Sequence, residues 1–278
     1  MQKRADLHVH TYYSDGTFSP EETVKEAKRL NLDAIAICDH DCADGIDEAL
    51  EASKKYGVEI IPGVEFTCEK EGIEIHMLGY LIDVKRKSVS KLLNDLRERR
   101  VQRIYDMVDK LKKCNVQISP ESVFSLSERG TIGRLHLAQA MYNQNLVTSV
   151  KEAFNKYIGD DAPCYVSRFN ITPEETIKAI LESGGVPVYA HPAVMGRDDF
   201  IPEFTKAGLR GLEVYHTDQR NSATKRYKNL ADKLGLLATG GSDWHGLGKK
   251  KSPMGGVTVP YSTVEALKKE ASEIRSHV

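Results

Sequence analysis

His8 and His10 stand one residue apart at the end of the first apolar run, "RADLHVH", and Asp15 follows in a glycine turn. On a strand, residues two apart share a face, so both imidazoles would point the same way, as two ligands of one metal ion require. The same residue types recur along the chain. Asp39 and His40 close "AIAICDH", Glu65 follows "IIPGV", His76 lies in "IEIHMLGY", His191 ends "VPVYAH", and Asp243 and His245 follow "LLATGG". Taken singly, each has an ordinary explanation: turn chemistry for Asp15, a solvated polar loop around His40, a strand-end histidine at His191, a turn or helix cap in "GSDWHG". Their coincidence at strand ends argues for one site. Six histidines with several carboxylates and no thiolate cluster suit Zn²⁺, Mn²⁺ or Fe²⁺. The set is too large for one four-coordinate ion, so at least two divalent ions are expected, with Glu65 or Asp15 available to bridge them. Cys38 is expected to pack as a small apolar side chain in "AIAIC" rather than to ligate.

The frame that must gather these residues is an alternation of short β-rich runs with amphipathic helical stretches, the pattern of parallel strands joined by crossover helices. The first unit runs from "RADLHVH" into "SPEETVKEAKRLN", where Ser19 is a good N-cap, Pro20 suits the first helical position and Glu22 completes a capping box. "AIAICDH", a helix around "GIDEALEASKKYG", "VEIIPGVEF" and "IEIHMLGYL" follow. The alternation stops near Asp83. From Lys87 to Cys114, Leu93, Leu96, Ile104, Val108 and Leu111 recur at helical spacing, and shorter helix-like pieces follow in "SPESVFSLSE", "GRLHLAQAMYNQ" and "VKEAFNKYI". Residues 84–166 therefore read as a helical insertion, with residues 1–83 and 167–278 forming the α/β body. After "TPEETIKAILESGG" the rhythm returns in "VPVYAH", "GLEVYH" and "LLATGGSDWHG". In parallel α/β sheets and barrels the carboxyl ends of the strands converge on one mouth, which would bring the scattered ligand-type residues together.

Composition narrows the partners. A chain of 278 residues, 40% hydrophobic, can bury a substantial core. A formal net charge of −1 gives no global field for gripping nucleic acid or an anionic membrane, so an anionic substrate must be held locally. The basic run Lys249, Lys250, Lys251 reads as a solvated loop. Five cysteines, odd in number and without a C-x-x-C pair, argue for reduced thiols in the cytoplasm rather than a disulfide framework. The start carries no apolar leader, and no stretch approaches the roughly 18 apolar residues of a membrane span.

Together, "DLHVHTYYSDGTFSPEE", "AICDHD", "GVEF", "YAHP" and "GSDWHG" resemble the motifs of the PHP (polymerase and histidinol phosphatase) family. The resemblance implies a distorted (β/α)7 barrel with a trinuclear metal centre at its mouth. It implies His8, His10, Glu65 and Asp243 on the first metal, Asp15, His40 and His245 on the second, and Glu65, His76 and His191 on the third. The insertion with "GRLHLAQAM" resembles the stand-alone members that act on nucleotide bisphosphates and short RNA ends, where this segment caps the mouth. That implies Arg134 and His136 as substrate-binding residues, with Arg168 in "YVSRFNITPEE" as a second guanidinium; such planar forks suit phosphate oxygens. His216 ends "GLEVYH" outside the metal set and is a candidate phosphate contact or general acid. Trp244 is expected to pack beneath the site.

The expected activity is hydrolysis of nucleotide phosphate monoesters, foremost 3′,5′-nucleotide bisphosphates and with them short RNA 5′ ends, by attack of a metal-bridging hydroxide. Asp243 and His216 are the expected catalytic residues, two to three Mn, Zn or Fe ions the cofactors, and a small phosphorylated substrate the partner, with no membrane and no stable protein partner. Cyclic nucleotide hydrolysis, histidinol phosphate hydrolysis and a non-catalytic metal-binding module are the competing readings.

Overall fold

A computed structural model describes residues 2–127, 129–166, 171–247 and 252–277; Arg168 and the Lys249–Lys251 run lie outside them. In chain order the elements are β1 (Arg4–Val9), α1 (Pro20–Arg29), β2 (Ala34–Ile37), α2 (Ile46–Tyr56), β3 (Glu59–Lys70) and β4 (Ile73–Tyr80). Then come α3 (Lys87–Lys113), α4 (Pro120–Phe124), α5 (Arg134–Asn143) and α6 (Val150–Ala153), which runs into a π turn at Phe154–Ile158. The body resumes with α7 (Pro173–Glu182), β5 (Val186–Tyr189), α8 (Pro192–Met195), α9 (Ile201–Ala207), β6 (Gly211–His216), α10 (Asn221–Leu234), β7 (Leu237–Gly241), β8 (Val259–Pro260) and α11 (Ser262–Arg275).

Local chemistry sets where the crossover helices begin. At α1 the Ser19 hydroxyl accepts from the Glu22 N–H, and the Glu22 carboxylate accepts from the Ser19 N–H, with Pro20 inside the first turn. Thr172, Pro173 and Glu175 repeat the device at α7. Each such cap is worth about 1 kcal/mol and fixes where the chain leaves the loop that follows a strand.

The strands lie in the order β7-β6-β5-β4-β3-β2-β1-β8. The ring closes where β1 meets the chain beyond β7: the His10 N–H donates to the Trp244 carbonyl at 2.9 Å, and Val9 bridges Trp244 in parallel. A Cβ on Gly241 would lie 2.4 Å from the His8 nitrogen, so only glycine allows this seam to close. The barrel is distorted at β4, which runs antiparallel to both β3 and β5. β3 and β4 form a long hairpin, with Thr67 opposite His76 and Glu65 opposite Leu78.

The helices between β4 and β5 carry an apolar cluster of their own, built on residues such as Ile104, Leu111, Val123, Leu137, Met141 and Ile158. α3 belongs to both sides. Its first turns put Val89, Leu92 and Leu96 into the barrel-side core with Phe66 and Ile180, and its later turns enter the helical cluster. Arg100, at the change-over, is buried and donates to Asp41 Oδ2 at 2.6 Å and Thr67 Oγ1 at 2.8 Å. The loop before α5 docks as firmly: Thr131 N–H donates to the Tyr13 carbonyl, and Thr131 Oγ1 to the His40 carbonyl at 2.6 Å. Gly130 beside it has φ +71°, and a Cβ there would fall 1.7 Å from the Tyr13 oxygen. The helical segment is therefore fastened to the two loops that carry His10, Asp15 and His40.

Candidate metal centre

Glu65 is the hub. It is 1% exposed, and its Oε2 lies 3.3 Å from His8 Nε2, 3.3 Å from His10 Nε2 and 3.1 Å from His40 Nδ1. Its Oε1 lies 2.9 Å from His76 Nδ1 and 3.0 Å from His191 Nε2. Asp243 Oδ1 completes a first group, 3.2 Å from His10 Nε2 and 3.7 Å from His8 Nε2. A second group forms on Asp15, with His245 Nε2 at 3.2 Å, His10 Nδ1 at 3.8 Å and His40 Nε2 at 3.9 Å. The structure thus brings together all nine residues that the motif resemblance singles out. It adds that His10 faces both Asp243 and Asp15, and that His40 reaches Glu65 as well as Asp15.

The donor set fits divalent cations. Arms of about 2.1 Å around a tetrahedral ion leave donor atoms about 3.4 Å apart, the spacing found in the first group. His8 Nε2, His10 Nε2, His40 Nδ1, Asp15 Oδ1 and Glu65 Oε2 are buried and have no hydrogen-bond partner, although each faces others of the set. Electrostatics points the same way. Burial would raise Asp15, Glu65 and Asp243, yet the surrounding imidazoles hold all three well below the usual carboxylate range. Burial likewise opposes charge on His10 and His76, but their carboxylate neighbours raise them to about 9 and about 10. His40 and His191 are driven down by burial. Carboxylates packed this way require positive charge between them, from protons or from cations.

Carboxylates outside the set hold it in shape. Glu213, fully buried on β6, accepts from His8 Nδ1 at 2.9 Å and from the His191 N–H at 2.8 Å. With an ion bound, this would keep the His8 proton on Nδ1 and leave Nε2 for the metal; without one, burial is outweighed by Glu213, Glu65 and Asp243, which raise His8 well above its ordinary range. Asp6 accepts from the Ser242 and Gly255 N–H groups at 2.8 Å each, behind Asp243. A solvated loop around Asp39 and Asp41 is overturned by the structure, where they are 1% and 0% exposed. Asp39 takes three hydrogen bonds from Thr11 and Ser14, and Asp41 takes Arg100 and the Thr67 N–H. Strain marks the same place: His191, Asp243 and Asp41, all non-glycine, have φ of 29°, 53° and 50°. Such conformations cost of order 1–3 kcal/mol each and persist where surrounding contacts over-determine them. Trp244 packs at 6% exposure with its ring 5.0 Å from Phe18, and the Cys38 thiol points to the Leu7 carbonyl.

Above the cluster opens a cleft of about 350 Å³. Asp15, His40, Glu65, His76, His191, Asp243 and His245 line it, together with Leu135 of α5, Phe154 of the π turn and Val194 of α8. His216 lines it too, with Nδ1 accepting from the Asp218 N–H at 3.2 Å and Nε2 3.4 Å from Asp243 Oδ2. His136 Nδ1 accepts from the Gly133 N–H at 3.1 Å, so its neutral ring carries the proton on Nε2. Arg134 lies between the rings of Phe154 and Tyr165, at 5.9 and 5.2 Å, and pairs with Glu74 Oε1 at 3.3 Å and with Asp160. Its guanidinium is already committed, a feature its sequence context does not signal. Arg103, which sequence reasoning passes over, pairs with the other Glu74 oxygen at 2.9 Å.

Comparison with known proteins locates this architecture. The family model described as "PHP domain" matches residues 6–234. The chain is 31% identical over 250 residues to a 5′-3′ exoribonuclease of Haemophilus influenzae, covering 88% of this chain and 91% of that protein. It is 30% identical over 250 residues to a 3′,5′-nucleoside bisphosphate phosphatase of Chromobacterium violaceum, covering 88% of each. A crystal structure from Bifidobacterium adolescentis, of a protein proposed to be a metal-dependent phosphoesterase, superposes with a TM-score of 0.89 at 33% identity over 96% of both chains.

Proposed function

Since the chain belongs to the PHP domain family and is a metal-dependent phosphoric ester hydrolase, we propose that it removes phosphate from 3′,5′-nucleotide bisphosphates, and that short RNA 5′ ends are a second substrate class. The observation that carries this reading is the cleft, lined both by imidazoles and carboxylates of the cluster and by the apolar side chains of Leu135, Phe154 and Val194. A phosphate ester bearing a flat, partly apolar group matches both halves.

His8, His10, Glu65 and Asp243 would hold one ion, and Asp15, His40 and His245 a second; Glu65 Oε1, with His76 and His191 at 2.9 and 3.0 Å, would hold a third, with Mn, Zn or Fe compatible with these N/O donors. Bound there, the ions supply an acidified water and withdraw charge from the phosphoryl oxygens. The chain's own groups do the rest. Arg134 binds a phosphate oxygen by exchanging its outer partner, because Asp160 is 72% exposed whereas Glu74 is 14% exposed and stays in place. His136 presents its Nε2–H from the cap. His216, its Nδ1 occupied by the Asp218 N–H, keeps a proton on Nε2 beside Asp243 and donates it to the departing alkoxide. The helices of 84–166 serve as the substrate cap.

Among the described residues no helix is long and apolar enough to cross a membrane, and we place the enzyme in the cytoplasm on its free thiols. The test is phosphate release from 3′-phosphoadenosine 5′-phosphate, a 5′-phosphorylated oligoribonucleotide, a cyclic nucleotide and histidinol phosphate, with metal content measured on the same sample. The bisphosphate should be turned over fastest, and His10→Ala should lose both metal and activity. Preference for histidinol phosphate, or activity that survives thorough chelation, would overturn the assignment.

A further inference from the structure

Two cysteines of the cap lie close together. Cys114 ends α3 and is exposed; Cys164 is buried just past the π turn, and their sulfurs are 3.5 Å apart. A disulfide needs its sulfurs at about 2.05 Å, so a closing movement of about 1.5 Å joins them. The peptide around Cys164 is already tied to α3 on the same side: Lys110 Nζ donates to the Tyr165 carbonyl at 2.6 Å and Arg103 Nε to the Val166 carbonyl at 2.7 Å. The Cys164 N–H donates to the Tyr157 carbonyl at 2.8 Å, which holds the turn in register. The other three cysteines, Cys38, Cys42 and Cys68, are buried in the barrel part of the chain.

We propose that Cys114 and Cys164 form a reversible dithiol–disulfide site in the cap, oxidised by low-molecular-weight disulfides. The exposed Cys114 thiolate attacks one sulfur of the small disulfide; the new mixed S–S bond forms as the old one breaks, and the first small thiolate leaves and takes up a proton. Cys164 then gives up its proton and attacks Cys114 Sγ, the Cys114–Cys164 bond forms, and the second small thiol departs. Two protein thiols are oxidised and one disulfide is reduced to two thiols. Burial, and then the hydrogen bond to Cys114, push the Cys164 thiol up to about 12, so entry falls to the exposed sulfur. The bond would pin to α3 the segment that carries Asp160 and Tyr165, the exposed partner and one ring neighbour of Arg134.

The test uses the native full-length chain, reduced, freed of reductant and exposed to excess oxidised glutathione. Intact mass should fall by two hydrogens, non-reducing peptide mapping should join the peptides holding Cys114 and Cys164, and dithiothreitol should restore the starting mass. Cys164→Ser should instead hold a glutathione adduct on Cys114, and Cys114→Ser should stay unmodified. A wild-type protein that retains the Cys114 adduct with Cys164 free, or keeps all its thiols, would overturn the proposal. The readout is mass, so failure of the substrate assignment leaves it untouched.

Discussion

Replacing Glu213 by glutamine should weaken metal binding about 10–100-fold while leaving the barrel folded. Glu213 touches no substrate-facing surface; each of its oxygens accepts one buried N–H, from His8 Nδ1 at 2.9 Å and from the His191 backbone at 2.8 Å. A glutamine carbonyl can serve only one of them, and its amide then turns an N–H toward the other donor. If the backbone bond is kept, His8 loses the acceptor that holds its proton on Nδ1, and the tautomer with Nε2 protonated becomes accessible. If the His8 bond is kept, the backbone of His191 loses the contact that supports its left-handed φ of 29°. Either loss, a charge-assisted hydrogen bond in a dry site, is worth about 1.5–3 kcal/mol, and every 1.4 kcal/mol is about tenfold in affinity, the range found when partners behind metal-bound histidines are removed. The assay is competition for Mn²⁺ or Zn²⁺ between the metal-stripped protein and a chromogenic chelator, alongside thermal unfolding. Wild-type affinity in a folded Glu213→Gln protein would refute the reasoning; so would a variant that fails to fold with or without metal, since that would make Glu213 a fold residue only.

Metal binding should release protons, because the ion-free protein holds His10 and His76 protonated up to about pH 9 and about pH 10; calorimetry at pH 7 in two buffers of different ionisation enthalpy should show net release, and affinity should rise toward pH 9. The stability of the ion-free chain that comes from these raised values is fully present below pH 6.5 and is lost as pH passes through about 9 to 10, so its Tm should fall over that interval. Arg134→Ala should raise KM for a nucleotide bisphosphate by about tenfold or more with metal content unchanged, whereas Asp160→Asn, which frees the same guanidinium from its exposed partner, should lower KM. Gly130→Ala combines a strained φ, about 1–3 kcal/mol, with a Cβ 1.7 Å from the Tyr13 oxygen; urea unfolding should show the loss, and kcat/KM should fall with it as the loop before α5 lifts from the Tyr13 and His40 loops.

The α/β frame was legible because its signals are local: the two "S/T-P-E-E" helix starts are the capping boxes observed, and the interrupted alternation near Asp83 is where β4 ends and α3 begins. Most of the residues drawn together around Glu65 were legible from chemical type and strand-end position, whereas Glu65 and His76 lie within β3 and β4 and were legible by type and motif alone. What stayed hidden depends on contacts between distant segments. Glu213 sits 205 residues from His8, and its only local sign is a charged residue inside the apolar run "GLEVYH". Asp39 and Asp41 look like solvent-facing loop residues by composition, and only the approach of Thr11 and Arg100 makes them buried acceptors. Arg134 was legible as a guanidinium near the mouth, but Asp160 and Tyr165 on one segment and Glu74 on another decide what it is free to do.

The antiparallel turn of β4 is what joins these parts into one machine. In a wholly parallel barrel each strand offers the site its carboxyl end and little more. Here β3 runs on to Lys70 and β4 returns beside it, so residues in the middle of two neighbouring strands face the site. Glu65 thereby meets His76 diagonally across the hairpin while still reaching His8, His10, His40 and His191. Two residues before His76, Glu74 continues the same line outward: one oxygen lies 3.3 Å from His76 Nε2 and from Arg134, the other 2.9 Å from Arg103. Burial would raise Glu74, but Arg103 and Arg134 hold it well below the usual carboxylate range, so it stays charged between cap and cluster. A single hairpin therefore ties the residues that would hold the metal to the arginine that would hold the phosphate. Because Glu74 is the shared partner, Glu74→Gln should change both KM and metal affinity where Arg134→Ala changes KM alone.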